Sequence, residues 1–215
     1  AGMGIERMVQ ISAIGASADS ASRYARTKAE GEAAVLAAMP DATILRPSIV
    51  FGTEDSFFNR FAAMARFVPA LPLFGGGKTR FQPVFAGDVG KAVLAAFERS
   101  DTRGQTYELG GPGVYTFEEL MRFILDEIDR PRFLLPLPWA IGKVIATVSE
   151  LVGALPLMPV LITRDQLIQL QSDNVVADDA KGLVDLGIAG ETVEAIVPGY
   201  LERYRRYGQF HERQA

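Results

Sequence analysis

Blocks of apolar and polar residues change period repeatedly along this chain. A short apolar run, Arg7-Met8-Val9-Gln10-Ile11-Ser12, predicts a strand. Ser22 to Met39, rich in Ala, Glu and Arg, predicts a helix with Ser20 or Ser22 as N-cap and Pro40 as its stop. A second strand follows at Ala42-Thr43-Ile44-Leu45-Arg46, ended by Pro47. Strand, helix, strand is the unit of a parallel sheet. The alternation continues with a helix over Ser56 to Val68, short strands over Leu71 to Phe85 around a Gly75-Gly76-Gly77 hairpin turn, and a helix over Asp88 to Arg99. Gly104 to Gly110 predicts a strand, Thr116 with Glu119 a capping box for a helix to Ile128, and Phe133 to Leu137 another strand. Asp88 is read as an N-terminal helix charge, and Thr192 to Tyr207 as a last helix whose Tyr204-Arg205-Arg206-Tyr207 end is solvated. These elements predict an α/β fold.

Pro138 to Ile162 is the most apolar stretch. Ile141, Val144, Ile145, Val148, Leu151, Val152 and Leu155 recur at helical steps, while Lys143, Thr147 and Glu150 lie elsewhere on the wheel. Two charges, Pro156 and Pro159 exclude a membrane-spanning helix. The amphipathic face has two readings, a helix that caps a small C-terminal domain or a face that docks on a membrane surface or a larger assembly.

Composition narrows the function classes. The chain is 48% hydrophobic and 22% charged with net charge −4, which predicts a folded globular protein. Lys and Arg form no large cluster along the sequence, so no nucleic-acid partner is expected. The absence of cysteine excludes disulfides and thiolate metal sites and is compatible with an intracellular compartment. The single histidine, His211, excludes a triad in the body of the chain, and no metal site is expected.

The candidate chemistry lies near the start. Tyr24 and Lys28 are four residues apart and share a helix face. A cation within a few ångströms favours the phenolate, so Lys28 is expected to lower the Tyr24 pKa and make an acid/base at neutral pH. Ser12 and the turn Pro47-Ser48-Ile49-Val50-Phe51-Gly52 fall at the carboxyl ends of two strands, where ligands gather in parallel sheets.

Tyr24-x-x-x-Lys28, the upstream Ser12 and Leu45-Arg46-Pro47-Ser48-Ile49-Val50-Phe51-Gly52 resemble the extended short-chain dehydrogenase/reductase superfamily of NAD-dependent epimerase/dehydratase type. Ile11-Ser12-Ala13-Ile14-Gly15-Ala16, Phe57-Phe58-Asn59-Arg60-Phe61 and Gly75 to Val84 are similar to the nucleotide-binding accessory subunit of respiratory complex I and its bacterial relatives. The resemblance implies a doubly wound, Rossmann-like parallel sheet with a small α/β substrate lobe. Residues 1–110 would form the dinucleotide-binding part, with 53–85 partly in the small lobe and 111–215 mainly C-terminal lobe. No G-x-G-x-x-G or G-x-x-G-x-x-G motif occurs, so the chain is expected to lack the first mononucleotide half of such a sheet.

Two functions follow from the resemblance. In one, the protein holds NADP or NAD as an accessory subunit or assembly factor, with complex I subunits or a membrane surface meeting residues 138–162. In the other, Tyr24 exchanges a proton with a hydroxyl or carbonyl substrate of an oxidoreductase or epimerase. Lys28 would then hold the nicotinamide ribose, Ser12 would bond the substrate oxygen, and Pro47, Ser48, Ile49 and Val50 would back the nicotinamide ring. Ala13, where catalytic members carry a second hydroxyl residue, departs from that pattern. The resemblance places the protein in the cytoplasm, peripheral on the inner face of a membrane, or on the mitochondrial matrix side.

Overall fold

A computed structural model describes residue 4 and residues 6–153 and 162–206. Its elements run β1 (Val9–Ile11), α1 (Arg23–Ala38), β2 (Thr43–Pro47), β3 (Val50–Phe51), α2 (Phe58–Ala65), β4 (Ala70–Phe74), β5 (Arg80–Phe81), β6 (Val84–Phe85) and α3 (Ala86–Glu98). They continue with β7 (Thr106–Leu109), β8 (Tyr115–Thr116), α4 (Phe117–Glu127), β9 (Phe133–Leu137), α5 (Trp139–Gly153), α6 (Arg164–Gln169) and α7 (Val193–Leu201). The chain divides into two compact units. Residues 1–50, 81–114 and 174–192 form unit 1, and residues 51–80, 115–173 and 193–215 form unit 2.

Unit 1 is built on a parallel sheet of order β1-β2-β7, with Val9 opposite Thr43 and Ile44 opposite Thr106. The central strand β2 buries both faces, as a near-continuous apolar strand must. Leu45, Tyr107 and Leu109 pack with Val84, Ala92, Leu183, Leu186 and Ile188 into its core. Residues 174–192 therefore belong with the sheet, although sequence reading groups them with the C-terminal lobe.

Helix α1 starts where expected. Ser22 caps it by accepting the Ala25 N–H at 3.3 Å, and Met39 ends it just before Pro40. Only Ala25 and Glu32 on this helix are buried, so a charged residue holds it to the sheet. Arg46 of β2 donates Nε to Glu32 Oε1 at 2.9 Å and Nη2 to Glu32 Oε2 at 2.6 Å, while its Nη1 lies 3.9 Å from Glu108 of β7. Glu108 Oε2 in turn accepts the Ala177 N–H at 3.0 Å. One guanidinium thus ties α1, β2 and β7 together, in the forked geometry that makes Arg–carboxylate pairs strong. Burial pushes the Glu32 pKa up, but the Arg46 hydrogen bonds, the nearby Ser12 hydroxyl and the Arg46 charge outweigh it and hold the pKa below the usual value.

Asp88 does more than charge a helix end. It lies fully buried in the first turn of α3, where Oδ1 accepts Lys91 Nζ at 2.8 Å and Oδ2 accepts the Glu191 N–H at 2.6 Å. The Glu191 contact closes residues 174–192 onto the helix.

In unit 2 the expected hairpin at the triple glycine does not form. β4 pairs in parallel with β9, from Ala70 opposite Phe133 to Phe74 opposite Leu137. Gly75, Gly76 and Gly77 each take a left-handed φ, which a run of side-chain-bearing residues would not tolerate. A Cβ on Gly75 would lie 2.1 Å from the Trp139 ring, so the turn also makes room for α5. Sequence spacing hides this pairing because β9 lies far downstream.

α5 packs through small residues together with Trp139 and Ile145. Ala146 and Ser149 are buried, and a Cβ on Gly142 would lie 2.9 Å from Phe74 and 3.0 Å from Leu167. Of the predicted apolar face, Ile145 packs with Trp139 against the Phe74–Ala146–Ile162–Leu167 cluster, while Ile141, Val144, Val148 and Leu151 are exposed. Val152 and Leu155 of that face lie outside the residues whose side chains are described. Among the described residues no helix is long and apolar enough to cross a membrane, and no three His, Asp or Glu side chains gather into a metal-ligand group.

The expected Thr116–Glu119 capping box opens α4, each residue bonding the other's backbone N–H, at 3.2 and 2.7 Å. The last helix is shorter than its apolar pattern. It contains Pro198, ends at Leu201 and tightens into a turn over Glu202–Tyr204. Arg205 is not solvated as predicted. Its Nε donates to Glu127 O at 3.0 Å, and its other nitrogens lie 3.6 Å from Glu127 Oε2 and 3.4 Å from Glu202 Oε1. Tyr200 donates to Asp55 Oδ2 at 2.6 Å, while Asp55 Oδ1 accepts the Phe58 N–H at 2.6 Å at the start of α2.

Three outcomes follow. Arg46→Met strands a buried Glu32 carboxylate and lowers unfolding stability by about 2–3 kcal/mol in urea titrations at neutral pH. The depressed Glu32 pKa contributes stability above its unfolded value near 4.5 that is lost as pH falls through the folded value, so Glu32→Gln flattens the acid limb of a stability–pH profile. Tyr200→Phe removes a hydrogen bond to a carboxylate and costs about 2 kcal/mol in the same titration.

Candidate functional site

The parallel pairing of β1 with β2 determines where the candidate residues lie. Beyond the strand ends, Ser12 N donates to Leu45 O at 2.7 Å and Ile14 N to Pro47 O at 3.0 Å, which joins the Ser12 loop to the Pro47 turn. Ser17 N then donates to Ala25 O at 3.3 Å and brings the loop onto the first turn of α1. Ser12, α1 and Pro47 to Val50 are thereby held at one end of the sheet, the carboxyl end where parallel sheets take ligands.

Tyr24 and Lys28 share a face of α1. Tyr24 is 44% exposed, and Lys28 Nζ lies 5.6 Å from the centroid of its ring. The ammonium therefore meets the negative face of the ring, a cation–π arrangement. Partial burial raises the Tyr24 pKa, against the expected lowering. The phenol is neutral at physiological pH and able to donate a hydrogen bond.

Ser12 does not share that exposure. Its residue is 3% exposed, and its hydroxyl lies near Glu32 without meeting hydrogen-bond geometry to any described group. Ala13, at the position of the absent hydroxyl, is also buried.

The turn Pro47 to Val50 is held by partners that sequence reading missed. Ser48 Oγ lies 2.6 Å from Asn174 Oδ1 and 3.0 Å from Asn174 O, and Ile49 N donates to Asn174 Oδ1 at 3.1 Å. Ser48 N donates to Leu109 O at 2.9 Å, and Val84 N donates to Ile49 O at 3.0 Å. Gln82 completes the clamp, as its N donates to Asn174 O at 3.0 Å, its Nε2 to Gly111 O at 2.8 Å, and its Oε1 accepts Val176 N at 3.0 Å. The backbone polar groups of this turn are largely used inside the fold. Val50, 39% exposed, offers an apolar side chain. Asn174 lies 126 residues from Ser48, and no local pattern marks it as a partner. The one available signal is the polar run Ser172-Asp173-Asn174, which reads as an ordinary turn.

This arrangement suits a flat ligand better than a proton relay. A half-exposed phenol, an ammonium and an apolar shelf at a strand end can hold a ring and its hydroxyls, while the serine that would share a substrate oxygen is buried.

Comparison with known proteins agrees with the fold. A structure of MoeE5 in complex with UDP-glucose and NAD superposes over 96% of this chain and 67% of that one, with a TM-score of 0.66 and 16% identity. NADH dehydrogenase (ubiquinone) 1 alpha subcomplex subunit 9, mitochondrial, from Arabidopsis thaliana is 39% identical over 95% of this chain, and that from Rattus norvegicus is 36% identical over 95%. The matches cover 52% and 53% of those proteins, so the chain spans about half the length of these relatives. The fold is an α/β, Rossmann-like fold. Residues 16–147 match the RmlD substrate binding domain, and the chain belongs to that family.

Proposed function

We propose that the protein is an NAD(P)-binding, short-chain dehydrogenase-like accessory subunit or assembly factor of respiratory complex I. The observation that carries this reading is the identity of 39% and 36%, over 95% of the chain, to mitochondrial NADH dehydrogenase alpha subcomplex subunits. The site geometry supports binding over turnover. Tyr24 has a raised pKa, Lys28 sits over its ring and Ser12 is buried beside Glu32.

The residues present suit the nicotinamide end of a dinucleotide. Tyr24 and Lys28 would hold its ribose, and Pro47, Ser48, Ile49 and Val50 would support its ring, in a turn that Asn174 keeps in place. A bound nicotinamide supplies hydride chemistry, whereas this chain's own residues bind and orient. The exposed stripe Ile141, Val144, Val148 and Leu151 is the face that meets another subunit of the complex, since these four apolar side chains stay exposed while Ile145, Ala146 and Ser149 face the fold. This reading places the protein at the cytoplasmic or matrix face of an energy-transducing membrane.

Calorimetry with NADPH and NADH, on this chain and on one preceded by a Gly-rich strand–turn–helix, tests the ligand. Binding by the extended chain, weakened roughly tenfold by Lys28→Ala through loss of a charged contact, is the expected result. Hydride transfer to a carbonyl substrate that vanishes with Tyr24→Phe would overturn the binding reading in favour of an enzyme. Asn174→Ala frees the 47–50 turn and weakens binding by about tenfold with intact secondary structure by circular dichroism. Val144→Glu with Val148→Glu, both at exposed positions, leaves the melting temperature unchanged but reduces co-purification with complex I subunits by on the order of tenfold.

A further inference from the structure

Tertiary structure gathers arginines that the sequence scatters. In unit 2, Arg132 Nε donates to Ala65 O at 2.8 Å, which sets it beside Arg66, and Phe133 N donates to Pro69 O at 3.1 Å. Arg130 Nε donates to Tyr204 O at 2.8 Å and its Nη2 to Arg205 O at 3.4 Å, which sets it beside Arg206. Burial, then the charges of Arg132, Arg66 and Arg206, pull the Arg130 pKa below the usual arginine value, with Asp129 opposing. Four arginines, Arg66, Arg130, Arg132 and Arg206, thus lie near one another in a chain of net charge −4. Glu127 and Glu202 are already engaged by Arg205.

Two aromatic rings stand bare in the same region. Phe67 is 82% and Phe133 80% exposed, and the Arg66 guanidinium lies 5.6 Å from the Phe67 ring centroid. Leu135, two residues along β9 and so on the same face as Phe133, is 51% exposed. A soluble surface seldom leaves rings this open beside clustered cations unless both have a use. Guanidinium groups bind phosphate, and bare aromatic and aliphatic side chains enter the boundary between headgroups and acyl chains.

We infer that Arg66, Arg130, Arg132 and Arg206, with Phe67, Phe133 and Leu135, form a surface that seats on an anionic lipid bilayer. The arginines supply charge complementarity to lipid phosphates, and the three apolar side chains sit at the headgroup boundary. Leu135 favours lipid over nucleic acid, because an aliphatic chain gains little from base stacking but is at home beside acyl chains. This surface is distinct from the Tyr24–Lys28 site and from the α5 stripe, and it stands whether or not the nucleotide reading holds.

Co-sedimentation with vesicles tests it, using the full chain. The expected result is binding to vesicles of phosphatidylcholine mixed with phosphatidylglycerol, little binding to phosphatidylcholine alone, and release by added salt. Arg66→Gln with Arg206→Gln should weaken that binding roughly tenfold or more. Phe67→Ser with Phe133→Ser, both at exposed positions, should weaken it without lowering the melting temperature. Phe67→Trp should show a blue-shifted emission only with the anionic vesicles. Equal binding to both vesicle types, no response to either double variant, or binding to heparin in place of vesicles would overturn the inference.

Discussion

The placement of Arg46 is the constraint on which unit 1 depends. A central parallel strand with both faces covered leaves little room for charge, yet Arg46 stands on β2 and spends its guanidinium on Glu32 of α1 and Glu108 of β7. A buried carboxylate needs a partner, and this one is satisfied only if the helix lies at one rotation and height against the sheet. The same helix carries Tyr24 half-exposed beside Lys28, while Ser12, held by its backbone to Leu45, stays buried.

In the binding role we propose, a neutral phenol with a cation over its face serves as a recognition element. Acid/base work would need the cation near the phenol oxygen and a second hydroxyl aimed at the same substrate atom. Here Lys28 faces the ring, Ala13 has no hydroxyl, and Ser12 faces Glu32. The clamp of Asn174 and Gln82 on the Pro47 turn adds rigidity without offering new donors to a ligand. Rigid support with few free polar groups suits the ring-holding role we propose for this turn.

Unit 2 distributes its apolar residues against the usual expectation. α5 approaches Phe74 and Leu167 closely because Gly142 and Ala146 are small, and it packs Trp139 and Ile145 inward while Ile141, Val144, Val148 and Leu151 stay exposed. β9, at the edge of a two-stranded sheet, likewise leaves Phe133 and Leu135 uncovered. Exposed apolar surface of this kind is stable only because local packing underneath is complete, and it becomes useful when another surface covers it.

Sequence alone determined what depends on neighbours within a few residues. Ser22 and Pro40 bound α1, Thr116 and Glu119 open α4, and β1-α1-β2 pairs in parallel, because caps and crossovers are local chemistry. The Tyr24–Lys28 pair was legible for the same reason, as four residues make one helical turn. Tertiary structure decided the rest. The pairing of β4 with β9 replaced a hairpin at Gly75 to Gly77, Asn174 reached Ser48 across 126 residues, Arg205 turned inward to Glu127, and Arg130 and Arg132 joined Arg66 and Arg206. Each of these depends on contacts between distant segments, whose geometry is set by packing and not by any spacing along the chain.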